Sequence, residues 1–170
     1  TERLDKAAER LAAGLDELNG TWRIVGTADH GHLDLDPRLQ LETDDSLLDD
    51  LHCPPSGDMR VQFWHVRAGS EAAFCAGFRE RFGRWFYLLT VAEFEELALL
   101  GPDAWSDETR RRAGTHVSIS RGRGALRFAG IPGGAGYLRM RSGHSGLSPE
   151  EMRIPLIIAG EETRTADYGG

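Results

Sequence analysis

Asp29 and His30 stand side by side behind the apolar run Trp22-Arg23-Ile24-Val25-Gly26, with Gly31 after them. A carboxylate offers a hard anionic oxygen and an imidazole a borderline nitrogen, a pairing that suits zinc, manganese or iron better than calcium. A glycine in third place lets the backbone turn close to an ion. The tripeptide alone has little weight, because short polar runs arise by chance. Its place at the carboxyl end of a strand adds weight, since ligands of open α/β sheets bind there. His144 is the next candidate, in the loop Gly143-His144-Ser145-Gly146 that leads to the apolar run Ile154-Pro155-Leu156-Ile157-Ile158-Ala159. A lone loop histidine is ordinarily a surface residue, so its company decides its reading. His32, close behind His30, is a candidate for lining the same site. His52 reads as a loop residue, His65 as a buried or edge strand residue, and His116 as a strand opener with no partner in sequence.

These side chains need a frame. Leu4, Ala7, Ala8, Leu11, Leu15 and Leu18 recur at helical spacing among charges, which predicts an amphipathic helix over 3–18 ended by Asn19-Gly20. A buried strand over 21–26 follows. Residues 32–57 are acidic and contain prolines; the acids read as a solvated face, with a short helix around 45–52 and no EF-hand spacing. Residues 59–66 alternate as a strand, and Ser70 caps a helix running to about Phe82. Residues 86–89 form a short strand, and Thr90 caps a helix over 91–100 that Gly101-Pro102 stops. A further helix is expected near 106–112, then strands over 115–120 and 124–129 around an Arg121-Gly122-Arg123-Gly124 turn. The Gly-rich segment 130–136 reads as a mobile loop. No Lys-Ser/Thr follows its glycines, which argues against a phosphate loop. A buried strand over 154–159 and a frayed tail close the chain.

A chain of 170 residues suffices for a domain with a core. Its hydrophobic content of 40% and charged content of 28% are those of an ordinary globular protein. The net charge of −7 argues against a nucleic-acid polymer as partner, because such binding neutralises phosphates with Lys and Arg. It leaves room for a small phosphate ester, where a metal supplies local positive charge. The arginines at 110–112, 121 and 123 could attract a phosphate, with solvated charge the commoner outcome for such stretches. No apolar run is long enough to cross a bilayer. The opening Thr-Glu-Arg-Leu-Asp-Lys is no secretory signal. The expected compartment is the cytoplasm, with no membrane partner. Cys53 and Cys75 lack CxxC spacing and read as free thiols.

The segments Thr27-Ala28-Asp29-His30-Gly31 and Gly143-His144-Ser145-Gly146-Leu147-Ser148-Pro149-Glu150-Glu151-Met152-Arg153-Ile154-Pro155-Leu156-Ile157-Ile158-Ala159-Gly160, in this order, carry a family resemblance. The chain resembles the type I phosphodiesterase/nucleotide pyrophosphatase branch of the alkaline phosphatase superfamily. There an Asp-His-Gly after a core strand is followed much later by a His-Gly loop and a Ser/Thr-x-x-Glu-Met-x-x-Pro-Leu-Ile run. The likeness covers most of the chain and is strongest at 3–37 and 137–160. Ser145 stands where a glycine is usual. The resemblance implies an α/β fold: the C-terminal part of an alkaline-phosphatase-like sandwich with a small inserted α/β subdomain. Residues 1–57 and 114–163 would belong to the core, 58–113 to the insertion, and 164–170 to a flexible tail.

The same resemblance implies a site for a pair of divalent transition metals, zinc first, with manganese or iron as alternatives. Asp29 and His30 would bind the metal that touches the nucleophile, and His144 would bind the other. The nucleophilic Thr or Ser, an early metal-binding Asp and an Asp-x-x-x-His pair are expected in an N-terminal half outside this sequence. No catalytic nucleophile is therefore assigned to this chain. The expected function is the C-terminal part of a metal-dependent phosphoester hydrolase, of phosphodiesterase or nucleotide pyrophosphatase type, inactive alone. Its substrate would be a phosphate ester or nucleotide. A half-sheet ending at residue 21 would leave an open edge and an uncovered helix face, so the expected partner is the missing N-terminal half or a second copy of the chain. The rival reading is a catalytically silent fragment acting as a metal-binding or interaction module.

Overall fold

Short runs of alternating or helical periodicity, broken by glycines and prolines, give this chain many small elements instead of a few long ones. A computed structural model describes residues 2–18 and 20–160. In chain order they form α1 (Glu2–Asp16), β1 (Arg23–Thr27), β2 (Leu33–Asp34), β3 (Arg38–Leu41), a 3-10 turn (Ser46–Asp50), β4 (Ser56–Asp58) and β5 (Val61–Trp64). Then come α2 (Glu71–Phe82), β6 (Phe86–Thr90), α3 (Val91–Glu96), α4 (Asp107–Ala113), β7 (His116–Ser120) and β8 (Ala125–Phe128). The last are α5 (Ala135–Arg139), β9 (Ser142–Gly143), α6 (Pro149–Met152) and β10 (Leu156–Gly160). The protein is a mixed α/β chain of small sheets and short helices. It divides into two compact units: Thr1–Asp29 with Ile154–Gly170, and His30–Arg153.

In the first unit, α1 is built from good helix formers, with Glu2 and Asp5 in the turn where the helix dipole favours acids. Trp22 Nε1 donates to Asp16 Oδ1 at 2.9 Å. Strand β1 pairs antiparallel with β10, Val25 opposite Ile158. Both strands were expected to be buried, and the structure corrects this. Every residue of β10 is exposed, with Leu156 at 69% and Ile157 at 60%, and α1 buries no residue. Apolar runs state what a strand is suited to pack against. A ribbon of only two strands supplies no layer to cover its faces. Asn19, expected to end α1, lies outside the described residues, as does the tail from 161.

The second unit is organised around a four-stranded sheet in the order β4-β5-β7-β6, all neighbours antiparallel. Its two faces are covered by different elements, because side chains alternate along each strand. On one face Trp64, Val66 and Phe86 pack with Phe74, Phe78 and Phe82 of α2 and with Leu41, Leu126 and Phe128 from the parallel pair β3·β8. On the other face Val117 and Ile119 pack with Val91 and Phe94 of α3, Trp105 and Ala113. The α2 phenylalanines recur every four residues, so one helix face delivers all three rings. Full burial of such a side chain is worth about 1.5–3 kcal/mol.

Local capping follows the sequence in most places. Thr90 and Glu93 form the full capping box at the start of α3, Thr90 Oγ1 accepting from Glu93 N at 3.2 Å and Glu93 Oε2 from Thr90 N at 2.7 Å. That helix stops at Glu96 instead of 100. Ser70 makes no side-chain cap to α2, and the Glu71 carboxylate instead accepts from Gly69 N at 2.8 Å. The helix expected around 45–52 is a 3-10 turn capped by Asp45, whose carboxylate also takes both Arg81 amino groups at 2.6 and 2.5 Å. Part of the expected 130–136 loop is helix α5, whose end is held by Arg127, donating to the Leu138 carbonyl and to Met140 O at 2.8 Å. The sheet runs across residue 113, because β7 hydrogen-bonds to both β5 and β6. The described chain divides at 29/30 and 153/154.

Candidate metal centre

The β2·β9 ladder explains how residues far apart in sequence meet. Leu33 pairs with Gly143 and Asp34 with Ser142, both core-side residues Leu33 and Gly143 being buried. His32 precedes β2 and His144 follows β9. Antiparallel register therefore sets His32 and His144 across from one another. The preceding turn brings in His30, whose neighbour Gly31 donates its N–H to Glu151 O at 2.8 Å. The glycine at 31 is required by packing: a Cβ there would collide with the Glu150 carbonyl oxygen.

His30, His32 and His144 form one cluster, each offering a ring nitrogen within 4.8 Å of the others. The His30 and His144 rings stack at 3.6 Å with planes 15° apart. His32 stands edge-on to His144 at 5.1 Å. His32 is exposed and the other two are half-buried. His30 Nδ1 lies 2.8 Å from Gly31 O. A carbonyl can only accept, so Nδ1 carries the proton and the lone pair of the neutral ring sits on Nε2. That arrangement, one ring nitrogen fixed by a carbonyl and the other a donor to a cation, is the usual preparation of a histidine ligand. The donor set of imidazoles fits zinc or another borderline transition metal and does not fit calcium or magnesium.

Of the residues expected to form the site, the structure brings His30 and His144 together and adds His32, the expected lining residue. Asp29 closes the first unit, is exposed, and is not among the clustered ligands. Ser145, beside His144, has φ of +87°, a left-handed conformation that glycine adopts without strain.

Around the cluster, His32 lines a small polar depression with Asp34, Arg123, Ser142 and Glu150, of about 300 Å³. Arg123 Nε donates to Asp34 O at 2.8 Å, which holds the guanidinium there. A larger depression of about 630 Å³ is apolar, walled by Tyr87, Leu89, Leu97, Ile119 and Leu147, and carries none of the three histidines. Of these two depressions, only the smaller is lined by a histidine of the cluster, His32.

Two groupings were invisible in the sequence. Cys75 Sγ lies 3.4 Å from His116 Nε2, and His116 Nδ1 lies 3.0 Å from Thr115 Oγ1. The order resembles an activated nucleophile, but burial pushes the thiol up and the imidazole down, which keeps both neutral. The pair is a polar contact beside the Phe74 ring. The other grouping is a buried ion pair, Arg60–Glu151. Ser148-x-x-Glu151 is legible as a capping box, and the structure shows it formed. Nothing in sequence names Arg60 as its partner.

Comparison of the chain with protein-family models, with curated proteins and with solved structures gives no match.

Proposed function

We propose that this chain supplies metal ligands to a metal-dependent phosphoester hydrolase, as the C-terminal part of an alkaline-phosphatase-like enzyme of phosphodiesterase or nucleotide pyrophosphatase type. The convergence of His30, His32 and His144 carries the reading. The order Asp-His-Gly, His-Ser-Gly and Ser-x-x-Glu-Met along the sequence supports it. His30 is held in the tautomer that presents Nε2, and His144 is stacked against it. The family resemblance makes Asp29 a further candidate ligand, as the residue before His30 in the Asp-His-Gly motif. Arg123, on the rim of the depression that His32 lines and beside the Asp34 carboxylate, would be the cation nearest His32 for a phosphate oxygen. Divalent cations held by these ligands would supply charge to the attacking and leaving oxygens of a phosphate ester and would lower the pKa of a bound hydroxyl. The attacking Thr or Ser belongs to the N-terminal half. That half, or a second copy of the chain, covers the exposed ribbon β1·β10 and helix α1.

Elemental analysis after reconstitution with zinc, manganese or iron tests the metal reading. The wild-type chain is expected to retain metal, and His144→Ala and Asp29→Ala to lose affinity by at least about tenfold. A wild-type chain that holds no transition metal overturns it. Hydrolysis of bis-p-nitrophenyl phosphate separates an enzyme part from a silent module. Turnover is expected when the N-terminal half is supplied and close to none from this chain alone. A complemented protein that binds metal but never turns over favours the silent metal-binding module.

A further inference from the structure

Glu151 touches both loops of the histidine cluster. Its backbone carbonyl accepts from Gly31 N, next to His30. Its carboxylate accepts from Gly146 N at 2.9 Å, just past His144, and from Ser148 N and Oγ at 3.2 and 2.7 Å. Arg60 holds that carboxylate from below, through Nε and through Nη2, the latter at 2.8 Å. The remaining Arg60 donors go to Ser120 Oγ at 3.2 Å, Gly124 O at 3.0 Å and Gly122 O at 2.6 Å. A guanidinium has five N–H groups, and all of them are satisfied here. Both side chains are buried, at 0% and 1% exposure. The neighbouring glycine is fitted to the pair: a Cβ on Gly146 would lie 2.6 Å from Glu151 Oε2 and 2.7 Å from Arg60 Nε.

A buried ion pair is an inefficient source of stability, because desolvation cancels most of the attraction and an apolar pair of similar size does as well or better. What an apolar pair cannot do is fix direction. Arg60 immediately precedes β5, and its carbonyl accepts from Ser120 N at the end of β7, so its fork is anchored beside the central sheet.

We propose that Arg60 and Glu151 are positioning residues for the metal centre, holding the His30–His32 turn and the His144 loop at the separation that lets their imidazoles share a cation. The proposal deepens the metal-site reading and rests on it only for the ligand, since the loop geometry can be read without metal. The stacked rings of His30 and His144 shift each other's ring protons, so histidine ring resonances report their juxtaposition in the metal-free chain. Cobalt binding then reports the shape and affinity of the site.

The first variant replaces the pair by the apolar R60M/E151M, which can pack without a fork. The second, Gly146→Ala, presses on the pair from the loop. Both are compared with wild type by thermal melting, by histidine ring NMR without metal, and by cobalt titration followed through its visible absorption. Expected is a folded variant in which the His30 and His144 ring shifts collapse toward those of unstacked histidines. Cobalt affinity is expected to fall about tenfold to a hundredfold with an altered visible spectrum. If R60M/E151M does not fold, Gly146→Ala decides. A folded variant with wild-type ring shifts overturns the proposal, whether or not metal binds. If wild-type chain binds no cobalt but the variants lose the ring shifts, the metal reading fails while the positioning role stands.

Discussion

The two units of this chain spend similar apolar sequence to opposite ends. Residues 74, 78 and 82 of α2 are phenylalanines, and all are buried against the central sheet. Leu156, Ile157 and Ile158 of β10 are as apolar, and all are exposed. The second unit closes its core because its sheet has a cover on each face. The first has a helix and a two-stranded ribbon, and its described residues give those strands no such cover. Apolar content is thus a demand, and topology decides whether the chain itself meets it.

The contrast can be broken by mutation. Phe78→Ala is expected to cost about 3–5 kcal/mol in chemical denaturation, as for other buried phenylalanines. At dilutions where the chain is monomeric, Ile157→Ala is expected to change stability by no more than about 0.5 kcal/mol, as at other exposed positions. Equal losses would mean that the ribbon is buried in solution by something else. The next effect is on mass. The isolated chain is expected to self-associate in light scattering, and Ile157→Lys to return it toward the monomer by charging the ribbon face. A compact, monodisperse wild-type monomer would contradict this.

A smaller effect depends on pH and belongs to the second unit alone. Burial works to raise the Glu151 carboxyl, but the hydrogen bonds from Arg60, Ser148 and Gly146 N outweigh it and hold the group below its ordinary 4.5. The folded pKa is depressed, so the stability from this group is fully present above pH 4.5 and is lost as pH falls through the folded value. The midpoint of thermal melting should therefore fall below pH 4.5, and R60M/E151M should lose that part of the pH dependence. The smallest expected effect is a gain: Ser145→Gly removes a left-handed non-glycine residue and should stabilise by about 1 kcal/mol in the same denaturation assay.

Much of the fold could be read from local chemistry. The Thr90 cap, the α2 helix, the strand expected over 86–89 and the helix expected near 106–112 all form at or within a residue or so of those places. These signals lie within a few residues of one another. Burial of β1 and β10 was misread because an apolar run does not reveal whether its cover is in the same chain. The inward face of β5 was hidden for a related reason. Gln62 and Trp64 of β5 and Arg60 just before it share one parity and are all buried, so an inward face carries two polar side chains that a polar-to-solvent reading would turn outward. For the site, His30 and His144 were legible as motif residues. His32 was legible only as a lining residue close behind His30; that it stands across from His144 depends on the long-range Leu33–Gly143 register.

The ladder that carries the histidines is also the shortest in the second unit, two residues on each strand. Short ladders open by local fluctuation long before a domain unfolds. Amide hydrogens at the β2·β9 ladder should therefore exchange with solvent far faster than those of β7 in the middle of the central sheet. An ion bridging His32 and His144 would slow exchange at that ladder selectively. Exchange at this one ladder would then report occupancy of the histidine cluster by a cation.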